Sequence, residues 1–274
     1  MRSSRLYASR RLWASRIAGL TVTLAALGLL PLAASAAEQK QAPRCKAPRE
    51  LIHFKAPLES FARAYGAKEP IRIAALGSSS TAGTGASSAK ACYPARLEAE
   101  LNARNPGKKF TVKNLGIGGQ LARDMLARID SEVLPMKPAL VIWQTGVNDA
   151  IQDIGLPAFH GTLTRGIDKI RAQGIDVVLL DMQYYPKVEK MARYLDYLRV
   201  MRQVAREKNV PILHRFDIMK HLIASAQFST EQLLSPDSFH QNDLSYGCLS
   251  DLLADAIQDD LARTIAASAV AQKH

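Results

Sequence analysis

The sequence predicts an α/β protein, a three-layer α/β/α sandwich around a central, mainly parallel five-stranded sheet. Three observations carry that expectation. Short runs rich in Ile, Val and Leu alternate with longer segments of helical spacing, and such alternation builds parallel sheets covered on both faces. The runs are mostly apolar throughout, which suits strands with no solvent-facing side. Glycine- and hydroxyl-rich segments follow several of them, at the carboxyl ends where such sheets place their chemistry.

Each element follows in order. Residues 71–76 form an apolar run ending at Gly77 and read as the first strand. Residues 94–103 read as a helix, with Leu97 and Leu101 four apart and acids interleaved. A second strand is expected over 110–112 and an amphipathic helix over 121–134. The third strand falls at 140–143, a helix at 161–173 and the fourth strand at 177–180. A helix over 188–208, a short fifth strand at 210–213 and a closing helix over 244–267 complete the pattern.

The N-terminus reads differently. Arg2, Arg5, Arg10, Arg11 and Arg16 precede an apolar run from Ile17 to Leu30, then Pro31 and the small residues Ala34-Ser35-Ala36. Basic, apolar and small-residue regions in that order make residues 1–36 a secretory signal peptide, cleaved before Ala37. The apolar run is short for a membrane span, so no stable span is expected after cleavage. Ser9-Arg10-Arg11-Leu12-Trp13 also resembles a twin-arginine export signal. Residues 37–69 are expected to form an N-terminal arm and lead-in, flexible over 37–48, and 70–274 the main domain. The expected location is periplasmic or secreted. Loss of five arginines lowers the formal charge from +11 to +6. The remaining basic residues are scattered rather than grouped with aromatics, which argues against nucleic-acid binding.

An oxidising compartment allows the three cysteines one disulfide and one thiol left over. The expected pair is Cys45 with Cys248, which would tie the N-terminal arm to the last helix; Cys92 could replace either partner. None has metal-site spacing, and no metal or other cofactor is expected.

Four segments carry chemistry. Gly77-Ser78-Ser79-Ser80-Thr81-Ala82-Gly83 runs out of a strand into small, hydroxyl-bearing residues, a place for an exposed nucleophile or an ordinary turn. It lacks the spacing of a phosphate-binding loop. Asn114-Leu115-Gly116-Ile117-Gly118-Gly119 lets backbone N–H groups approach a ligand closely. In Gln144-Thr145-Gly146-Val147-Asn148-Asp149, an Asn amide can donate to an oxyanion, or cap the following helix. In Ser235-Pro236-Asp237-Ser238-Phe239-His240, an Asp three residues before a His can hold its tautomer and stabilise its cation.

In this order the four segments resemble the signature blocks of the SGNH hydrolase superfamily, the GDSL-like esterases and lipases. The resemblance covers residues 70–255 and implies an SGNH, flavodoxin-like sandwich for the domain at 70–274. It implies Ser79 as nucleophile, His240 as base and Asp237 as its partner. It further implies an oxyanion hole made by the Ser79 N–H, the Gly119 N–H and the Asn148 amide. One departure stands out: Ser78 occupies the place of the family's usual Asp.

The activity implied is hydrolysis of carboxylic esters through an acyl-enzyme. For an exported protein the expected substrates are short acyl esters, such as acetyl groups on an envelope polysaccharide. Tyr184 and Tyr185 follow the fourth strand and are candidates to stack on an acylated saccharide, though at least one is expected to pack in the loop. The alternatives are an acyltransferase using the same acyl-enzyme and a non-catalytic binding protein on the same fold. The motifs leave the oligomeric state open.

Overall fold

The computed structural model describes residues 45–271, which lie within one compact unit spanning 42–274. The signal-peptide segment and residues 37–44 of the arm fall outside the described residues. Among the described residues the chain begins with helices α1 (Arg49–Ile52) and α2 (Glu59–Gly66). Strand β1 (Ile71–Gly77) leads into the short helix α3 (Ser79–Ala82), then α4 (Tyr93–Arg104) and β2 (Phe110–Gly116). Helix α5 (Ala122–Ala127), β3 (Leu140–Gln144), α6 (Val147–Ile151), α7 (Leu156–Arg171) and β4 (Asp176–Leu180) follow. Helix α8 (Ala192–Glu207), β5 (Ile212–Leu213), α9 (Arg215–Ala224), α10 (Thr230–Leu233) and α11 (Asp243–Ala271) complete the chain.

All five strands are parallel, in the order β2-β1-β3-β4-β5; the expected sheet was mainly parallel. The order reverses at β1, and such a reversal opens a crevice at the carboxyl ends of the strands. Alternate side chains serve two cores. Ala74, Leu76, Val141, Trp143, Val177 and Leu179 pack under α5, α7 and α8. Ile71, Ile73, Ala75, Leu140, Ile142 and Val178 pack with α2, α4 and α11. Helix α9 serves both cores at the sheet edge, with Phe216 and Met219 in one and Ile218 and Leu222 in the other.

Several segments differ from expectation: α7 begins at Leu156, α8 begins at Ala192 after a 3-10 turn (Pro186–Lys190), and α9 was not expected. The helix expected over 121–134 ends at Ala127 and continues as a π-helical turn (Ile129–Val133) and a 3-10 turn (Leu134–Met136). Arg128 sits at the break, its guanidinium drawn to the carbonyls of Gly77 and Leu115, and Pro135 brings no N–H to prolong the helix. The lead-in is more ordered than its composition suggests. Besides α1 and α2 it supplies Phe54, Leu58 and Phe61 to the second core. Cys45 is bonded to Cys248 on α11, leaving Cys92 as a buried free thiol. Lys46, placed in the flexible arm by composition, exchanges hydrogen bonds with the Gln227 side chain through its N–H and carbonyl.

Asp176, at the start of β4, holds α2 to the opposite end of the sheet by accepting the Phe61 N–H at 2.8 Å. Burial pushes its carboxyl up to about 6 from an ordinary 3.8, against the pull of the Phe61 and Ser60 N–H groups. The folded state therefore binds this proton more tightly than the unfolded chain. The group's contribution to stability is complete below the unfolded pKa and is lost as pH rises through about 6. In urea unfolding, the stability of Asp176→Asn relative to wild type is expected to rise from pH 4 to 7. A difference that stays constant with pH would contradict this.

Candidate active site

Strand β1 delivers its last residue, Gly77, to a tight turn and Ser79 to the first position of α3. The turn is set by Gln144 at the end of β3. Its Oε1 accepts the Ser78 N–H at 3.0 Å, the Ser78 hydroxyl at 3.2 Å and the Thr81 hydroxyl at 3.0 Å. Ser78 and Gln144 are both buried. Ser78, at the position of the family's usual Asp, thus donates to the Gln144 amide oxygen, while the buried Gln144 Nε2 has no hydrogen-bond partner. Beside it, Gly116 brings β2 into direct contact with α3: a Cβ at this residue would lie 2.1 Å from the Ala82 nitrogen.

His240 meets Ser79 from across the chain, with Nε2 2.9 Å from the Ser79 Oγ. Its Nδ1 lies 2.6 Å from Asp237 Oδ2. The other Asp237 oxygen, Oδ1, accepts the Ser235 hydroxyl at 2.6 Å and the Phe239 and His240 N–H groups at 2.9 Å each. Partial burial pushes the Asp237 carboxyl up. The bonds from Ser235, His240 and the two N–H groups outweigh it and hold Asp237 well below the usual carboxylate range. It is therefore ionised at neutral pH, and an ionised partner on Nδ1 keeps the proton there, leaving Nε2 to accept from Ser79. The loop closes on itself through Ser235 N–H to His240 O at 2.8 Å, a Leu234–Gln241 bridge and Ser238 in the left-handed region. Gly85 lies flush against it: a Cβ there would fall 2.3 Å from the Gln241 carbonyl oxygen.

The remaining candidates come from the ends of β2 and β3. Gly119 takes a φ of 77° in an exposed loop whose Ile117 N–H bonds to Gly77 O at 3.0 Å. Asn148 Nδ2 donates to the Gln120 carbonyl at 2.9 Å, one residue beyond Gly119, and an amide nitrogen has a second N–H to offer. Asp149, fully buried, accepts the Ala122 N–H with both oxygens at 3.0 and 3.2 Å. Burial pushes its carboxyl up. Arg128 Nε reaches Gln120 Oε1 at 2.9 Å from the other side. The loop that carries Gly119 is thus tied to β1, to α6 and to Arg128 at the end of α5.

The structure brings Ser79, His240 and Asp237 into one hydrogen-bonded line, with Gly119 and Asn148 joined through Gln120. It places the two tyrosines differently. Tyr185 is buried, edge-on to both Tyr194 and Phe239; a ring packed so presents no face to a sugar, and the stacking role expected of it does not fit. Tyr184 is half-buried, its ring edge-on to Phe216 and its hydroxyl donating to Glu189 at 3.0 Å. Sequence reasoning missed Gln144, Gln183 and Arg128 as supports of the site. The signal was a polar residue closing or following an apolar strand, present at Gln144 and Gln183. Among the described residues no helix is long and apolar enough to cross a membrane, and no group of three or more His, Cys, Asp or Glu could hold a metal ion.

The chain resembles known proteins in sequence and in fold. The model of the non-GDSL lipase-like family matches residues 44–263. The chain is 30% identical to the esterase TesA of Pseudomonas aeruginosa over 40% of its length and 54% of that protein. It is 30% identical to an acetylxylan esterase of Geobacillus stearothermophilus over 43% of its length and 59% of that protein. The matches thus span little more than half of these relatives. Among solved structures, a two-domain esterase active on acetylated mannans superposes with a TM-score of 0.62 at 23% identity, covering 77% of this chain and 54% of that one. A lipase/acylhydrolase from Enterococcus faecalis superposes at 0.59 and 24% identity, covering 69% and 96%. Both share the fold.

Proposed function

The chain belongs to the non-GDSL lipase-like family, and we propose that it is an exported serine esterase acting on short acyl esters through an acyl-enzyme on Ser79. The observation that carries the reading is the line from Ser79 Oγ to His240 Nε2 at 2.9 Å and from Nδ1 to Asp237 at 2.6 Å.

In this reading His240 removes the Ser79 proton as Oγ attacks the ester carbonyl, and Asp237 stabilises the imidazolium that forms. The oxyanion is received by the Ser79 and Gly119 N–H groups and the free N–H of Asn148. His240 then protonates the leaving alcohol, and the same base activates the water that releases the acid. An acetyl ester on a polysaccharide suits this chemistry, and two similar proteins act on acetylated xylan and acetylated mannan. The Cys45–Cys248 bond and the basic, apolar N-terminus suit an exported protein.

Mature protein assayed on p-nitrophenyl esters is expected to turn over acetate fastest and to slow with each lengthening of the acyl chain. Acetate release from acetylated xylan should accompany it. Transfer of acetyl to added glycan in place of water would turn the reading into an acyltransferase. Failure of all esters, together with no fluorophosphonate adduct on Ser79, would leave a binding protein.

A further inference from the structure

We propose that Gln183 is a positioning residue that sets the register between the nucleophile and its base. The proposal rests on the esterase reading above. Beyond β4 the chain runs through Asp181, Met182 and Gln183, all buried, with Gln183 only 1% exposed. Its Oε1 accepts the Ser80 hydroxyl at 2.7 Å, and its Nε2 donates to the Phe239 carbonyl at 2.8 Å. Ser80 is the residue after the nucleophile, and Phe239 the residue before the base. One side-chain amide therefore joins the two catalytic segments at adjacent positions.

The bridge is itself anchored. The Tyr194 hydroxyl, deep in the core, donates to the Gln183 carbonyl at 2.6 Å. Two residues earlier, buried Arg215 donates through Nε to the Asp181 carbonyl at 2.8 Å, and the Phe216 N–H binds Asp181 Oδ1 at 2.9 Å. The histidine loop needs such a reference. Every bond that Asp237 makes lies within residues 235–240, so the Asp–His pair is built locally and does not by itself find Ser79. Gly85 and the Ser87–Asp243 bonds give a further contact nearby. An amide suits the bridging position, because its oxygen accepts from a hydroxyl while its nitrogen donates to a carbonyl.

The test is Gln183→Met, which keeps length and bulk but makes neither bond. Misplacing a base by about 1 Å costs on the order of 10–100-fold. The expected result is a fall of that size in kcat for p-nitrophenyl acetate, with KM within about twofold. The rate of fluorophosphonate labelling at Ser79 should fall in parallel. The low-field proton resonance of His240 Nδ1 should persist, because the Asp237 pair is untouched. Ser80→Ala, which cuts only the other end of the bridge, should show the same pattern at smaller amplitude and guards against a Gln183→Met that fails to fold. A kcat and labelling rate within twofold of wild type in the folded variant would overturn the proposal. So would loss of the His240 resonance, since the damage would then lie in the loop and not in its register. Labelling reads the geometry at Ser79 without an ester substrate. A wild type that labels but turns over no ester therefore overturns the esterase reading alone.

Discussion

Ser79→Ala is expected to lower kcat for p-nitrophenyl acetate by about 10⁴-fold or more while leaving the melting temperature close to that of wild type. The variant removes the attacking oxygen and its 2.9 Å contact with His240, and nothing else of consequence. Helix α3 remains held by Ser78 and Thr81 on Gln144, and an alanine at its first position is compatible with a helix. The residual rate should come from the oxyanion donors alone, which still favour the transition state for attack by water. Members of such a line act as a unit, so His240→Ala should cost about as much and the double variant little more. Activity within tenfold of wild type would take Ser79 out of the mechanism. Survival of activity in Ser79→Ala with its loss in Ser80→Ala would move the nucleophile by one residue.

Asn148→Ala should cost about 10²–10³ in kcat, roughly 3 kcal/mol, with little change in KM. The reason is timing. An oxyanion exists in the transition state and not in the bound ester, so a donor aimed at it changes kcat and not ground-state binding. One Asn148 N–H is committed to Gln120 O and orients the other. Loss of that bond also loosens the Gly119 loop, but Asp149 still fixes Ala122 with both carboxylate oxygens, and Arg128 still holds Gln120. A rise in KM with kcat unchanged would make Asn148 a substrate-binding residue or a simple helix residue.

The sheet and the proposed catalytic line were legible from the sequence because most of their signals are local. A buried strand announces itself by its own apolar run, and β1, β3 and β4 begin within one residue of where their patterns place them. The Asp237–His240 pair is a contact between residues three apart in one turn. The order of the four segments then supplied the partner that no single segment could identify. Where a local signal was overridden, a tertiary contact did it: Arg128 turned aside to the ends of β1 and β2 where the pattern continued as helix. Composition likewise read Lys46 as part of a flexible arm, although the disulfide and the Gln227 side chain fix its neighbourhood.

The sequence by itself determined the layered fold, favoured Cys45 with Cys248 while leaving Cys92 as an alternative, and marked Ser79, Asp237 and His240 as the proposed catalytic line. Only the tertiary structure decided what surrounds them. Gln183 and Ser80 are 103 residues apart and Gln144 and Ser78 are 66 apart, and no spacing along the chain marks either pair. Burial and edge-on packing turn Tyr185 from the stacking role, and the Gln144 amide receives the Ser78 side chain where the family usually has Asp. The physical reason is range. Periodicity and turn chemistry act between near neighbours, whereas the donors and acceptors that complete a site are matched only after the strands are placed side by side.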